Sequence, residues 1–307
     1  MIFLVGAFLM SVSCKKKAKE YDDTYHSGVI DFACDESFKT LIDAEIDVFG
    51  VHFPEAFVFP RYTTEKNAID LLIADSVKLA ITSRDLDDVE RGSLTNNRTV
   101  RKYLFAFDGV VLLVNKANAD SMLTVANLKK ILTGEITEWN QINPSSKLGA
   151  IRTIFANKES SVLRYLIDSV TKTTNLSKNI YALDTKEEVF DRVREMPNAI
   201  GIVGFNQLGS QRGEAFREIT AKTQLVRISS ADVADLSNSY LPFQGELNEG
   251  KYPLWRPVYV LLGEGRTGLA TGFCFFLTQE VSQKIILKMG LMPITDAQNQ
   301  WTEWTVK

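Results

Sequence analysis

From Val29 onward the apolar positions fall into two alternating rhythms, short continuous runs and stripes at helical spacing, the pattern of a chain that alternates strands with amphipathic helices. GVIDFA (28–33) predicts a strand, and Phe38, Leu41, Ile42, Ile46 and Phe49 share a helical face that Gly50 is expected to stop. A strand near 56–59, a helix over 66–74 and the strand VKLAIT (77–82) follow. LFAF (104–107) and GVVLLVN (109–115) read as two further strands, the second apolar throughout and so suited to burial on both faces. The rhythm then restarts. Thr124 is placed to cap a helix over 125–132 that Gly134 ends. Next come IRTIF (151–155), a helix carrying Val162, Leu163, Leu166, Ile167 and Val170, a helix over 186–196 and the strand AIGIVG (199–204). VYVLL (258–262) and helices at 269–277 and 279–289 complete the series. This order predicts an α/β fold in two lobes, the chain crossing from the first to the second and returning near its C-terminal end.

Ahead of this pattern lies IFLVGAFLM (2–10), an uncharged run too short to span a membrane and of the size of a signal-peptide core. It leads into Ser11, Val12, Ser13 and Cys14, which resembles the lipobox of bacterial lipoproteins, although no Lys or Arg precedes the run. The expectation is a signal peptide over 1–13, lipid attachment at Cys14 and a polar tether over 14–27, giving an exported protein held at a bacterial membrane by lipid alone.

Composition narrows the function. A chain of 307 residues with 45% hydrophobic and 24% charged residues has enough apolar material for two cores. A net charge of -3 supplies no field for a nucleic-acid backbone. Two histidines, His26 and His52, and three cysteines, Cys14, Cys34 and Cys274, show no metal-ligand spacing, so neither metal nor cofactor is expected. Cys34 and Cys274 read as buried spacers, and both histidines as surface residues. Gly263–Gly268 matches GxGxxG but lacks a following strand with an acidic residue, so it reads as a flexible loop rather than a dinucleotide site.

One feature occurs twice. A strand runs into a polar loop with serine at the start of a helix, at Asp35-Glu36-Ser37-Phe38 and at Lys158-Glu159-Ser160-Ser161. Serine hydroxyls with free backbone N–H groups suit a tetrahedral oxyanion, and one such element per lobe would grip it from two sides. Ser83 and Arg84, after the third strand, could add a hydroxyl and a two-pronged cation.

The segments LTVANLKKILTGEITEWNQI (123–142), AIGIVGFNQ (199–207), YPLWRPVYVLL (252–262) and GFCFFLTQEVSQKIILKMGLMPI (272–294) resemble the phosphate-binding proteins of ABC phosphate importers, with Ile131, Gly134, Ile136 and Trp139 on the I-x-x-G-x-I-x-x-W signature. The resemblance runs from about Val29 to Ile294. It implies a type 2 periplasmic-binding-protein fold with two crossover strands and a ligand cleft between the lobes. Lobe 1 is expected over 28–112 and 258–307, and lobe 2 over 113–257. It further implies a monomer without enzymatic activity that takes inorganic phosphate to an ABC permease. Carried over residue by residue, the phosphate contacts fall on Ser37, Phe38, Thr64, Ser83, Ser160 and Ser161. Arg84 stands where the family has an acidic residue, and the family's arginine upstream of the second serine loop is absent from 155–158, so Arg84 is expected to supply the cation. Asp35, Glu36, Glu65 and Glu159 are candidate acceptors for a ligand proton. Capture of another oxyanion or a phosphorylated solute, as a sensor or adhesin, and a phosphate-ester hydrolase using Ser37 or Ser160 are the alternatives.

Overall fold

The computed structural model describes residues 22–94, 98–265 and 267–294; the signal peptide expected over 1–13 and the lipid attachment expected at Cys14 lie outside them. The first half runs β1 (Ser27–Asp35), α1 (Lys39–His52), β2 (Glu55–Thr63), α2 (Glu65–Ile73), β3 (Leu79–Thr82), α3 (Asp88–Gly92), β4 (Arg101–Asn115), β5 (Met122–Thr124) and α4 (Val125–Thr133). There follow β6 (Arg152–Phe155), α5 (Ser161–Leu166), β7 (Ile180–Ala182), α6 (Lys186–Glu195), β8 (Ala199–Gly204), α7 (Glu214–Lys222) and β9 (Thr223–Leu225). The chain closes with β10 (Arg227–Ser229), β11 (Ser239–Tyr240), α8 (Gln244–Asn248), β12 (Trp255–Leu262), α9 (Leu269–Leu277), α10 (Glu280–Lys288) and β13 (Met292–Pro293).

A mixed sheet in the order β2-β1-β3-β12-β4-β8-β6-β7 runs through both lobes, with β9 and β13 also pairing β4. Strand β4 is the shared piece: residues 101–109 pair with β12, and Val110–Val114 pair with β8. The two strands predicted at 104–107 and 109–115 are therefore one. Asp108, which reads as a break between apolar runs, is buried inside it because Arg256 of β12 neutralises it. Beyond that point side chains alternate between two cores. Val110, Leu112 and Val114 pack with Leu128, Ile131, Trp139 and Val162. Val111 and Leu113 pack with Val189, Phe190 and Val193 of α6, the two-faced burial that the apolar run predicts. In lobe 1, α1 and α9 cover one sheet face through Leu41, Phe49 and Phe273, and α2 covers the other through Ala68, Ile69 and Leu72. The return crossing is at Leu254–Arg256, where Leu254 O accepts the Val110 N–H at 2.7 Å.

Three other expectations change. Helix α1 runs through Gly50 to His52; nothing lies within 4 Å of a Cβ there, so the glycine costs only propensity, and the helix ends before Pro54, which disfavours helical backbone at the preceding residue. The helix predicted through Val170 ends at Leu166 and passes into a π turn over Ile167–Thr171. Residues 22–27, assigned to the tether, belong to the fold: Asp23 Oδ1 accepts the Leu269 N–H at 2.9 Å, and His26 stacks on Phe53 at 4.5 Å. Thr124 and Gly134 cap α4 as expected, Gly134 taking φ 83°. Cys34 and Cys274 are buried free thiols, with burial raising both pKa values.

Glu45 of α1 is fully buried in lobe 1. Burial pushes its carboxyl from 4.5 up to about 8, and the neighbouring Ser282 hydroxyl offsets only part of this. Folded protein thus keeps a proton that the unfolded chain loses, so stability falls as pH rises from 4.5 towards about 8 and levels off above it. Glu45→Gln removes this loss, and its advantage over wild type in urea melts should grow across that window by roughly 2–4 kcal/mol. Parallel stability curves for the two proteins would contradict the assignment.

Candidate functional site

Strands β1 and β2 run parallel, as do β1 and β3, so their carboxyl ends lie side by side. This sets the loops carrying Ser37, Thr64 and Ser83 along one edge of lobe 1, the edge where open parallel sheets bind ligands. The carboxyl ends of β6 and β8 bring Ser160, Ser161 and Gln207 up from lobe 2. Between them lies a pocket of about 20 Å³ lined by Asp35, Glu36, Ser37, Thr64, Glu159, Ser160, Ser161 and Gln207, a volume for about one water molecule. A groove of about 710 Å³ beside Asp31, Val77 and Lys78 lies at the amino ends of β1 and β3, away from these loops.

Ser37 and Ser161 are far apart in sequence, yet their hydroxyl oxygens stand 3.2 Å apart. Arg256 holds both: Nη2 donates to Ser37 Oγ at 3.0 Å and Nη1 to Ser161 Oγ at 2.8 Å. An arginine can only donate, so each hydroxyl accepts from it and must direct its own proton elsewhere. Ser37 Oγ donates to Asp35 Oδ2 at 2.9 Å, and the Ser37 N–H donates to Asp35 Oδ1 at 3.0 Å. The pocket thus contains two oriented hydroxyls and a carboxylate that receives them. Burial, then the charge of Glu65, raises the Asp35 pKa from 3.8 to about 6 against the opposing pull of Arg256.

The guanidinium is fixed from several directions. Nε and Nη2 donate to Asp108 Oδ2 at 3.2 and 3.0 Å, and the Phe38 ring centroid lies 4.5 Å from its carbon. Asp108 also accepts from the backbone and side-chain N–H groups of Asn206 at 3.0 and 2.9 Å. Gly204 makes room, since a Cβ there would stand 2.5 Å from Asp108 Oδ2 and 2.7 Å from Arg256 Nη2.

The remaining sequence candidates have other partners. Thr64 caps α2 and donates to Glu159 Oε2 at 3.2 Å. Ser83 gives both its N–H and its hydroxyl to Glu65 Oε1, each at 2.7 Å. Ser160 is the N-cap of α5, with no side-chain cap bond. Arg84 departs from expectation: its two terminal nitrogens pair with the two Glu90 oxygens at 2.7 Å each, and it does not line the pocket. Sequence reasoning missed Arg256 and Asp108, whose signal is one opposite charge inside each of two mostly apolar runs, 103–114 and 254–262, and Arg164, which reaches Glu65 and Ser83 from α5. In the GxGxxG segment, Glu264 is buried and accepts the Thr271 N–H at 2.9 Å, which ties that residue to the start of α9. His26 and His52 lie beside Phe53, apart from the pocket lining. Among the described residues no group of three His, Cys, Asp or Glu could hold a metal, and no helix is long and apolar enough to cross a membrane.

Two α/β lobes joined by crossing strands, with a polar donor-lined pocket between them, define a periplasmic-binding-protein architecture. The chain belongs to the PBP superfamily domain family, which its residues 20–281 match. It is 25% identical over 225 residues to the phosphate-binding protein PstS of Borreliella burgdorferi, covering 71% of this chain and 72% of that one. It is 22% identical over 311 residues to the phosphate-binding protein PstS of Bacillus subtilis, covering 96% and 94%. A putative phosphate ABC transporter substrate-binding protein with bound phosphate from Clostridium perfringens shares the fold with a TM-score of 0.71 at 19% identity, covering 87% of this chain and 100% of that one.

Removing Arg256 leaves Asp108 charged and buried, which typically costs about 3–5 kcal/mol. Arg256→Gln should lower unfolding stability by that order, and Asp108→Asn added to it should recover part of the loss. A loss below about 1 kcal/mol, the scale of an exposed pair, would contradict the role given to this pair.

Proposed function

We propose that this protein captures inorganic phosphate between its lobes and delivers it to an ABC permease, without chemistry of its own. The observation that carries the reading is the convergence of the Ser37 and Ser161 hydroxyls, brought from facing lobes to within 3.2 Å of one another and both accepting from Arg256 at the pocket. The relatives named as phosphate-binding proteins support the choice of ligand. So does Asp35. Asp108 already offsets the Arg256 charge, and an incoming anion meets the Asp35 carboxyl beside the two serines. An oxyanion that carries a proton can donate it to that carboxyl, whereas sulfate, fully ionised near neutral pH, meets like charge. Arg84, paired with Glu90, is left out of the ligand set. Export with a lipid on Cys14 and a monomeric state complete the proposal, with the lobe limits moved from 112/113 and 257/258 to the crossings at Gly109–Val110 and Leu254–Arg256.

Calorimetric titration of the mature domain with phosphate, sulfate and molybdate tests it. Saturable heat is expected with phosphate. Ser161→Ala should weaken binding by roughly 1.5–3 kcal/mol, about ten- to a hundredfold in Kd. Asp35→Asn should narrow the preference for phosphate over sulfate. No heat with phosphate, beside saturable heat with another anion or a phosphorylated solute, would overturn the assignment.

A further inference from the structure

A second carboxylate beside the pocket joins the two lobes directly. Glu65 begins α2 in lobe 1, and its side chain is 3% exposed. Its Oε2 accepts from Nε of Arg164, on α5 of lobe 2, at 2.5 Å. The Nη2 of the same arginine donates to Ser83 Oγ at 2.9 Å, while Oε1 of Glu65 accepts the Ser83 N–H and hydroxyl. Asp168 takes Nη1 at 2.7 Å, one helical turn along, which aims the guanidinium at lobe 1. Backbone amide, hydroxyl and guanidinium form the donor set that an oxyanion oxygen would occupy, and here the chain itself supplies the anion.

We propose that Glu65 is a built-in anion that draws Arg164 across the cleft and holds the lobes closed with no bound solute required. The donors are thereby divided: Ser37 and Ser161 face the pocket, while Ser83 and Arg164 belong to the latch. Weaker bonds follow the same closure, among them Asn157 to Glu36 at 2.6 Å, Thr64 to Glu159 at 3.2 Å, Lys186 to Thr40 at 2.9 Å and the Ser37 and Ser161 hydroxyls at 3.2 Å. The Glu65 pair dominates them because it joins full opposite charges where the carboxylate is shielded from water and salt. An equilibrium between open and closed lobes shifts by the interactions present only in the closed state, and these are present only there. The inference needs only that the lobes move relative to one another, and so goes beyond the choice of phosphate as ligand.

Small-angle scattering on the mature chain in phosphate-free buffer tests it with wild type, Glu65→Gln, Arg164→Gln and the double variant. Wild type should have the smallest radius of gyration. Each single variant should expand, and the double variant should expand no further than either, since both changes break one contact. Wild type as expanded as the variants, or variants as compact as wild type, would overturn the latch. Far-UV circular dichroism establishes that each variant is folded; if Glu65→Gln is not, Arg164→Gln decides alone, because its side chain is partly exposed and its loss leaves the core of lobe 1 intact. With no phosphate in any arm, a negative result here leaves the ligand assignment standing, and a failed phosphate titration leaves the latch standing.

Discussion

The buried pair between Arg256 and Asp108 is the interaction on which the pocket depends. Each charge sits in one of the strands that pass between the lobes, both fully buried. Burying either charge alone costs far more than one hydrogen bond returns, so each needs the other. Together they leave a guanidinium with one side committed to a carboxylate and two N–H groups directed at serines from opposite lobes. That arrangement sets the direction of both hydroxyl protons. The serines therefore act as oriented donors, and the pair supplies their orientation without adding net charge to the pocket.

Around this neutral base the pocket is crowded with carboxylates. Asp35 receives the Ser37 donors, and Glu65 receives those of Ser83 and Arg164. The positions in lobe 1 expected to meet the ligand are therefore of two kinds. Each serine gives both its donors to a carboxylate of its own lobe, but Ser37 and Asp35 line the pocket, whereas Ser83 and Glu65 do not. A carboxylate held near pH 6 by burial gives the pocket a way to distinguish a protonated oxyanion from one without a proton. A carboxylate bound to an arginine of the facing lobe gives it a way to close.

Much of the fold was legible because hydrophobic spacing is set by secondary structure. The apolar run at 109–115 announced a strand buried on both faces, and Val110 and Val111 do enter different cores. Thr124 and Gly134 marked the ends of α4 through local backbone chemistry. Short pieces such as β9, β10 and β11 were not legible, since two or three residues carry no period and form only where tertiary pairing makes them. The two serine loops were visible as a repeated pattern. Their cation was not, because Arg256 acts through partners more than ninety residues away in sequence on three different elements. Arg84 was the nearer candidate, but Glu90, six residues on in α3, offers a complete two-pronged partner.

The central claim is that an oxyanion is bound by the two serines that Arg256 orients. Anomalous diffraction from a crystal grown with arsenate, which copies the shape and protonation of phosphate, tests it most directly. The account predicts arsenic between the lobes, with arsenate oxygens about 2.5–3.0 Å from Ser37 Oγ and Ser161 Oγ and the Arg256 to Asp108 pair intact. Arsenic bound elsewhere on the molecule, or no arsenic at the serines under saturating conditions, would contradict it.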